Sequence, residues 1–162
     1  MKKNILSIAT IFILATSVFY VSCKKKKTNE QLYEESKSAE LSYYKGKDTI
    51  YGAKGVSPHG NFKLKFNAAA LASFGADGKL PVGGSFNEGS LIVKEVYSGS
   101  ELTLYAIMKK DSKSKFASNK WVWGEYKPNG DVVYNVSLEG DGCTGCHSSG
   151  TSRDLARSFD LH

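Results

Sequence analysis

Phe62, Leu64 and Phe66 alternate with Lys63 and Lys65, the period-two pattern of a strand with one buried face. Leu91 to Tyr97 and Leu102 to Met108 are two more apolar-rich runs, joined by the short turn Ser98-Gly99-Ser100. Trp121 to Tyr126 and Val132 to Val136 form another pair around Pro128-Asn129-Gly130. Two hairpins and the earlier strand make about five antiparallel strands. Helical signals are fewer. Thr28 to about Tyr44 reads as a helix capped by Thr28, with Glu30, Glu34 and Glu35 in its early turns. Its apolar stripe (Leu32, Ala39, Tyr43) is thin, which predicts light packing. Asn67 caps a short alanine-rich helix, Ala68 to Phe74, and Gly75 stops it. Residues 45–60 and 76–89 carry the glycines and prolines of loops, and Arg153 to Phe159 has room for one or two helical turns. The pattern predicts an α+β domain: mainly antiparallel sheet, with a few flanking helices.

One strand breaks its own pattern. In Leu91-Ile92-Val93-Lys94-Glu95-Val96-Tyr97, Lys94 shares a face with Ile92 and Val96, while Glu95 sits with Leu91, Val93 and Tyr97. Both faces are largely apolar, as in a central strand buried on both sides. A lysine at a sheet edge, or one paired with a carboxylate, would also give this pattern. An unpaired buried lysine would have a depressed pKa and could act as a nucleophile.

The termini and the charge narrow the picture. Lys2 and Lys3 precede an uncharged apolar stretch, Ile5 to Val21, that ends at Ser22-Cys23. That is the layout of a secretory signal, and a cysteine after the small residue suggests a bacterial lipoprotein lipidated on Cys23. An uncleaved membrane anchor is the alternative; either would tether the same domain outside the cytoplasm. The expected division is a signal peptide over 1–22, a lysine-rich tether over 23–30 and one domain over 31–162. The formal charge of +6 arises from 22 basic and 16 acidic residues. Without Lys2, Lys3 and Lys24 to Lys27 the balance is 16 to 16, so nothing here speaks for nucleic-acid binding. The run Lys24 to Lys27 suits a solvated tether lying on anionic headgroups.

Cys143-Thr144-Gly145-Cys146-His147 is the attachment signature of a c-type haem. In such a site each thiol adds across a haem vinyl group, and the histidine that follows can bind the iron. A zinc site would need two further ligands, and only Cys23, His59 and His162 remain. A redox dithiol needs no trailing histidine. With Cys143 and Cys146 on haem and Cys23 on lipid, no cysteine is left for a disulfide.

From Ser57 to Ser148 the chain resembles the cytochrome P-460 family, whose structural relative is cytochrome c′-beta. The pieces that carry the resemblance are Ser57-Pro58-His59-Gly60, the strand leading to Asn67, and Gly89 leading into Val93-Lys94-Glu95. Met108-Lys109-Lys110, Trp121-Val122-Trp123 and the late Cys143 to Ser148 follow in the family's order. The turn Asn87-Glu88-Gly89 departs from the Pro-Asp-Gly common there, and the tail after His147 is short. The resemblance implies that Lys94 is bonded to the porphyrin edge, and that the protein forms a homodimer.

Three functions follow as expectations. The first is hydroxylamine oxidation, with nitric oxide as a further reactant, at a haem iron held only by His147. In it Lys94 would tune the ring, Glu139 would move substrate protons, and a small periplasmic electron carrier would take the electrons. The second is binding of nitric oxide or carbon monoxide without turnover. The third is plain electron transfer, with Met108 or His59 closing the sixth iron position. Met108 shares a strand face with Leu102, Leu104 and Ala106 and reads first as core; His59 reads first as a surface or hydrogen-bonding residue. Phe62 and Phe66 are candidates to cap the open side of the iron, or simply core.

Overall fold

The computed structural model describes residues 28–55 and 57–162. The signal segment 1–22, Cys23 and the lysines 24–27 lie outside the described residues. A helix, α1, covers 28–38. After it come β1 (Ser42–Tyr43), β2 (Asn61–Phe66), α2 (Ala68–Leu71), β3 (Leu91–Ser98) and β4 (Glu101–Lys110). Then follow β5 (Trp121–Tyr126), β6 (Val132–Tyr134), α3 (Cys143–His147) and α4 (Ser158–Leu161). The strands make one sheet in chain order, β1 to β6, with every pairing antiparallel. This is the expected α+β arrangement with one strand more than foreseen. The extra strand is β1, whose two residues fall within the stretch 28–44 that reads as helix in sequence. The helix stops short of them, and backbone pairing of Ser42 with Phe66 and Tyr43 with Lys65 draws them into the sheet.

The register sorts the side chains into two layers. On one face, Phe66, Ile92, Met108 and Trp123 form a row across β2 to β5. The next row is Leu64, Lys94, Ala106, Glu125 and Tyr134, and beyond it lie Phe62, Val96 and Leu104. The other face carries Leu91, Val93, Tyr105, Ile107, Val122 and Tyr126 in a second buried cluster with Leu32 of α1. Light packing is therefore not what α1 shows. Leu32 is 3% exposed, Asn29 is buried, and Tyr33 and Ala39 pack on the same cluster. Lys109 reaches Glu35 at 2.5 Å and Lys37 donates to the Tyr105 hydroxyl at 2.8 Å, so polar side chains complete what the thin apolar stripe begins.

Gly124 makes that contact possible. A Cβ there would lie 2.6 Å from the Tyr126 hydroxyl and 3.0 Å from Leu32 Cδ2. Gly124→Ala is expected to cost about 1–3 kcal/mol through overpacking, measured as a lower denaturant midpoint. An unchanged midpoint would show that α1 does not press on β5.

Asn67 does more than cap α2. Its Oδ1 accepts from Ala70 N at 3.0 Å and from Leu91 N at 2.9 Å, and its Nδ2 donates to the Gly89 carbonyl at 2.9 Å. One side chain thus ends β2, starts α2 and sets where β3 enters the sheet. At the C-terminus, Phe159 of α4 stacks on Phe66 at 5.9 Å, and Lys54 and Lys79 donate to its last carbonyls.

Candidate functional site

The first face of the sheet forms one wall of a cavity of about 470 Å³, within the range of cofactor pockets. Phe62, Phe66, Ile92, Leu104 and Met108 make its floor apolar, and the row through Lys94 and Glu125 runs across that floor. Helix α3 brings Cys143, Cys146 and His147 to the rim, and α4 with the residues that flank it supplies Arg157, Phe159 and His162. The haem motif, Cys143–His147, is itself the helix α3. It forms a helix because Glu139, Gly140 and Gly142, at φ 52°, 74° and 76°, turn the chain sharply after β6. Gly140 is also sterically required, since a Cβ there would lie 2.8 Å from the Trp123 ring.

His147 is held as a metal ligand needs to be held. Its Nδ1 lies 2.7 Å from the Leu155 carbonyl, which can only accept, so Nδ1 carries the proton and Nε2 keeps its lone pair. Burial pushes its pKa down to about 4, against the opposing pull of the Leu155 carbonyl. The imidazole is therefore neutral at pH 7, the form that binds metal. Trp123 packs edge-on against the ring, with centroids 4.9 Å apart. Cys143 and Cys146 are three positions apart on α3, hence on one helix face, and neither is in a disulfide. Burial pushes the Cys143 thiol up.

Lys94 lies inside the sheet, with β2 on one side and β4 on the other, so the edge-strand alternative does not hold. Its ammonium rests over the Phe62 ring at 4.2 Å, and among the described residues no carboxylate lies within ion-pairing distance of it. Burial pushes its pKa down to about 8, with Cys146 and Glu125 pulling the other way. In-register pairing places Ala106 between Lys94 and Glu125, and its small side chain leaves the space between them open.

Glu139 is not brought to this site. It caps the turn Val136–Leu138 in the left-handed conformation and is exposed, away from the cavity lining. The carboxylates that line the cavity are Glu125 and Asp141. Glu125 Oε1 lies 2.8 Å from His59 Nε2, which makes His59 the hydrogen-bonding residue its turn suggested. The signal for Glu125 was present in the sequence. Period two puts it on the face of Trp121 and Trp123, an acid on an apolar face, just as Lys94 stands out on β3. Met108, Phe62 and Phe66 are buried core residues, and all three line the cavity.

Haem suits what is present. Two free thiols and a neutral imidazole with a bare Nε2 stand on one short helix at the rim of a flat-floored apolar cavity. Along its wall, Arg157 Nε and His162 Nε2 are buried without hydrogen-bond partners among the described residues. A planar, acid-bearing macrocycle would meet those needs.

An antiparallel sheet that walls a cavity closed by a Cys-x-x-Cys-His helix defines a haem-binding cytochrome, of a kind distinct from the helical electron carriers. The family model described as cytochrome P-460 matches residues 44–156, more than half of the chain, and the chain belongs to that family. No curated protein matches the chain.

Proposed function

We propose that this protein is an exported c-type cytochrome that oxidises hydroxylamine, with nitric oxide as a further reactant, and that Lys94 is covalently bonded to the haem edge. The observation that carries the reading is Lys94 itself. It is a desolvated amine with no carboxylate partner among the described residues, and it shares one cavity with Cys143, Cys146 and His147. An amine with a pKa near 8 is about one-tenth neutral at pH 7, far more than an ordinary lysine, and that fraction is nucleophilic.

The thiols of Cys143 and Cys146 would anchor the haem as thioethers, and Nε2 of His147 would hold its iron. When bound, the haem would supply a redox-active iron and a path for electrons. The chain supplies the rest. Phe62, Phe66, Ile92 and Met108 keep the pocket apolar and limit water. Glu125, hydrogen-bonded to His59, would accept protons released from substrate, the role expected of Glu139. Electrons would pass to a small periplasmic carrier. Cys23 would anchor the protein in the membrane by a lipid, and the assembly would be a homodimer. Fatty-acid labelling that is lost in Cys23→Ser would support the anchor.

A second reading rests on the position of the Lys94 ammonium over the Phe62 ring at 4.2 Å. That contact satisfies a lysine that never bonds to haem, as in a protein that binds nitric oxide or carbon monoxide without turnover. The test is the optical spectrum of the ferrous, haem-loaded protein beside Lys94→Ala, followed by hydroxylamine turnover. A main band far to the red that returns to an ordinary c-type position in the variant supports the enzyme. Identical five-coordinate spectra in both, without turnover, favour gas binding. A six-coordinate low-spin spectrum sinks both and leaves an electron carrier.

A further inference from the structure

Asp154 stands where the chain returns from α3 to the sheet. Both of its carboxylate oxygens lie 2.7 Å from Lys110 Nζ. It also accepts from Trp121 Nε1 at 3.1 Å, Phe86 N at 2.8 Å and Ser85 Oγ at 3.1 Å. Lys110 is 4% exposed, and its ammonium lies over the Trp121 ring at 4.9 Å. A buried ion pair seldom outperforms apolar side chains as a source of stability. What this one holds in place is the more telling observation.

Asp154 and Leu155 are consecutive non-glycine residues in the left-handed region, at φ 50° and 69°. Side chains disfavour that conformation, and it persists only where surrounding contacts impose it. Here the Asp154 carboxylate bonds the turn to the ends of β4 and β5. The left-handed pair then aims the Leu155 carbonyl at His147 Nδ1, 2.7 Å away. The anchor thus lies on the sheet beside the Met108 and Trp123 row, and its output is the hydrogen bond on the imidazole.

We infer that Lys110 and Asp154 are positioning residues for His147. Through the Leu155 carbonyl they set the orientation and basicity of its Nε2, and so the strength of its bond to the haem iron. The inference rests on the reading that His147 binds that iron. A firm Nδ1–H···O=C bond makes Nε2 a stronger donor; a loosened carbonyl makes it a weaker one.

The experiment is resonance Raman spectroscopy of the ferrous, haem-loaded protein, following the histidine–iron stretch, together with the reduction potential. Wild type is compared with Asp154→Asn and with Lys110→Met/Asp154→Asn, which removes both charges and leaves no buried charge unpaired. Leu32→Ala is the control, since it destabilises the opposite face without touching the turn. The stretch is expected to fall in frequency and the potential to rise in both Asp154 variants, with neither change in Leu32→Ala. Should Asp154→Asn not fold, the double variant carries the same test. A stretch that is present in wild type and unmoved in the variants overturns the inference alone. A wild-type spectrum with no histidine–iron stretch overturns the His147 reading and the inference with it.

Discussion

Asp154→Ala is expected to lower the unfolding free energy by about 3–5 kcal/mol, a large share of the roughly 5–15 kcal/mol that holds a domain of this size. Lys110 is 4% exposed and its ammonium would lose both carboxylate oxygens at 2.7 Å, leaving an uncompensated charge inside the protein. The Trp121 Nε1 donor and the Phe86 amide would lose their acceptor at the same time. Adding Lys110→Met should recover much of the loss, because the unpaired charge is the costly part. Denaturant unfolding of the single and double variants measures this directly. If the double variant is as unstable as the single one, the lost hydrogen bonds dominate and the charge argument fails.

Lys94→Met is expected to stabilise the haem-free polypeptide, prepared as the Cys143→Ser/Cys146→Ser form, by about 3 kcal/mol at pH 7. The sign follows from proton counting. The Lys94 pKa is about 8 in the folded chain against an ordinary 10.5, because burial disfavours its charged form. Below pH 8 the amine is protonated folded and unfolded alike, and the folded state bears the full penalty of a buried charge. Between pH 8 and 10.5 the unfolded chain binds more protons, so the stability of the lysine form rises with pH. The gap to Lys94→Met should narrow across that window. A gap that stays constant from pH 7 to 10.5 would mean that the ammonium is well solvated, and would remove the support Lys94 lends to a covalent haem bond.

Much of the architecture is legible in local pattern. Alternation in Phe62 to Phe66 and in Leu91 to Tyr97, the turns at Gly99 and Gly130, and the Asn67 cap each arise from a few neighbouring residues. The local physics that produces them is printed in the chain. Cys143 to His147 is equally plain, because attachment chemistry needs both thiols and the imidazole within one helical turn. The end of α1 was less legible, since Ser42 and Tyr43 leave the helix for a backbone pairing with β2, a partner some twenty residues away.

By itself the sequence determined the class: an α+β sheet with a haem motif after its last strand, and a lysine out of place on β3. The tertiary structure alone decided that Glu125 lines the cavity and Glu139 does not, because that depends on register across three strands and on a left-handed turn. It alone decided that His147 is braced by the Leu155 carbonyl and, behind it, by Asp154, which pairs with Lys110, 44 positions before Asp154 in the chain. Short-range pattern specifies what each segment forms. Which side chains meet is set by packing between segments far apart in the chain, and no local periodicity encodes that.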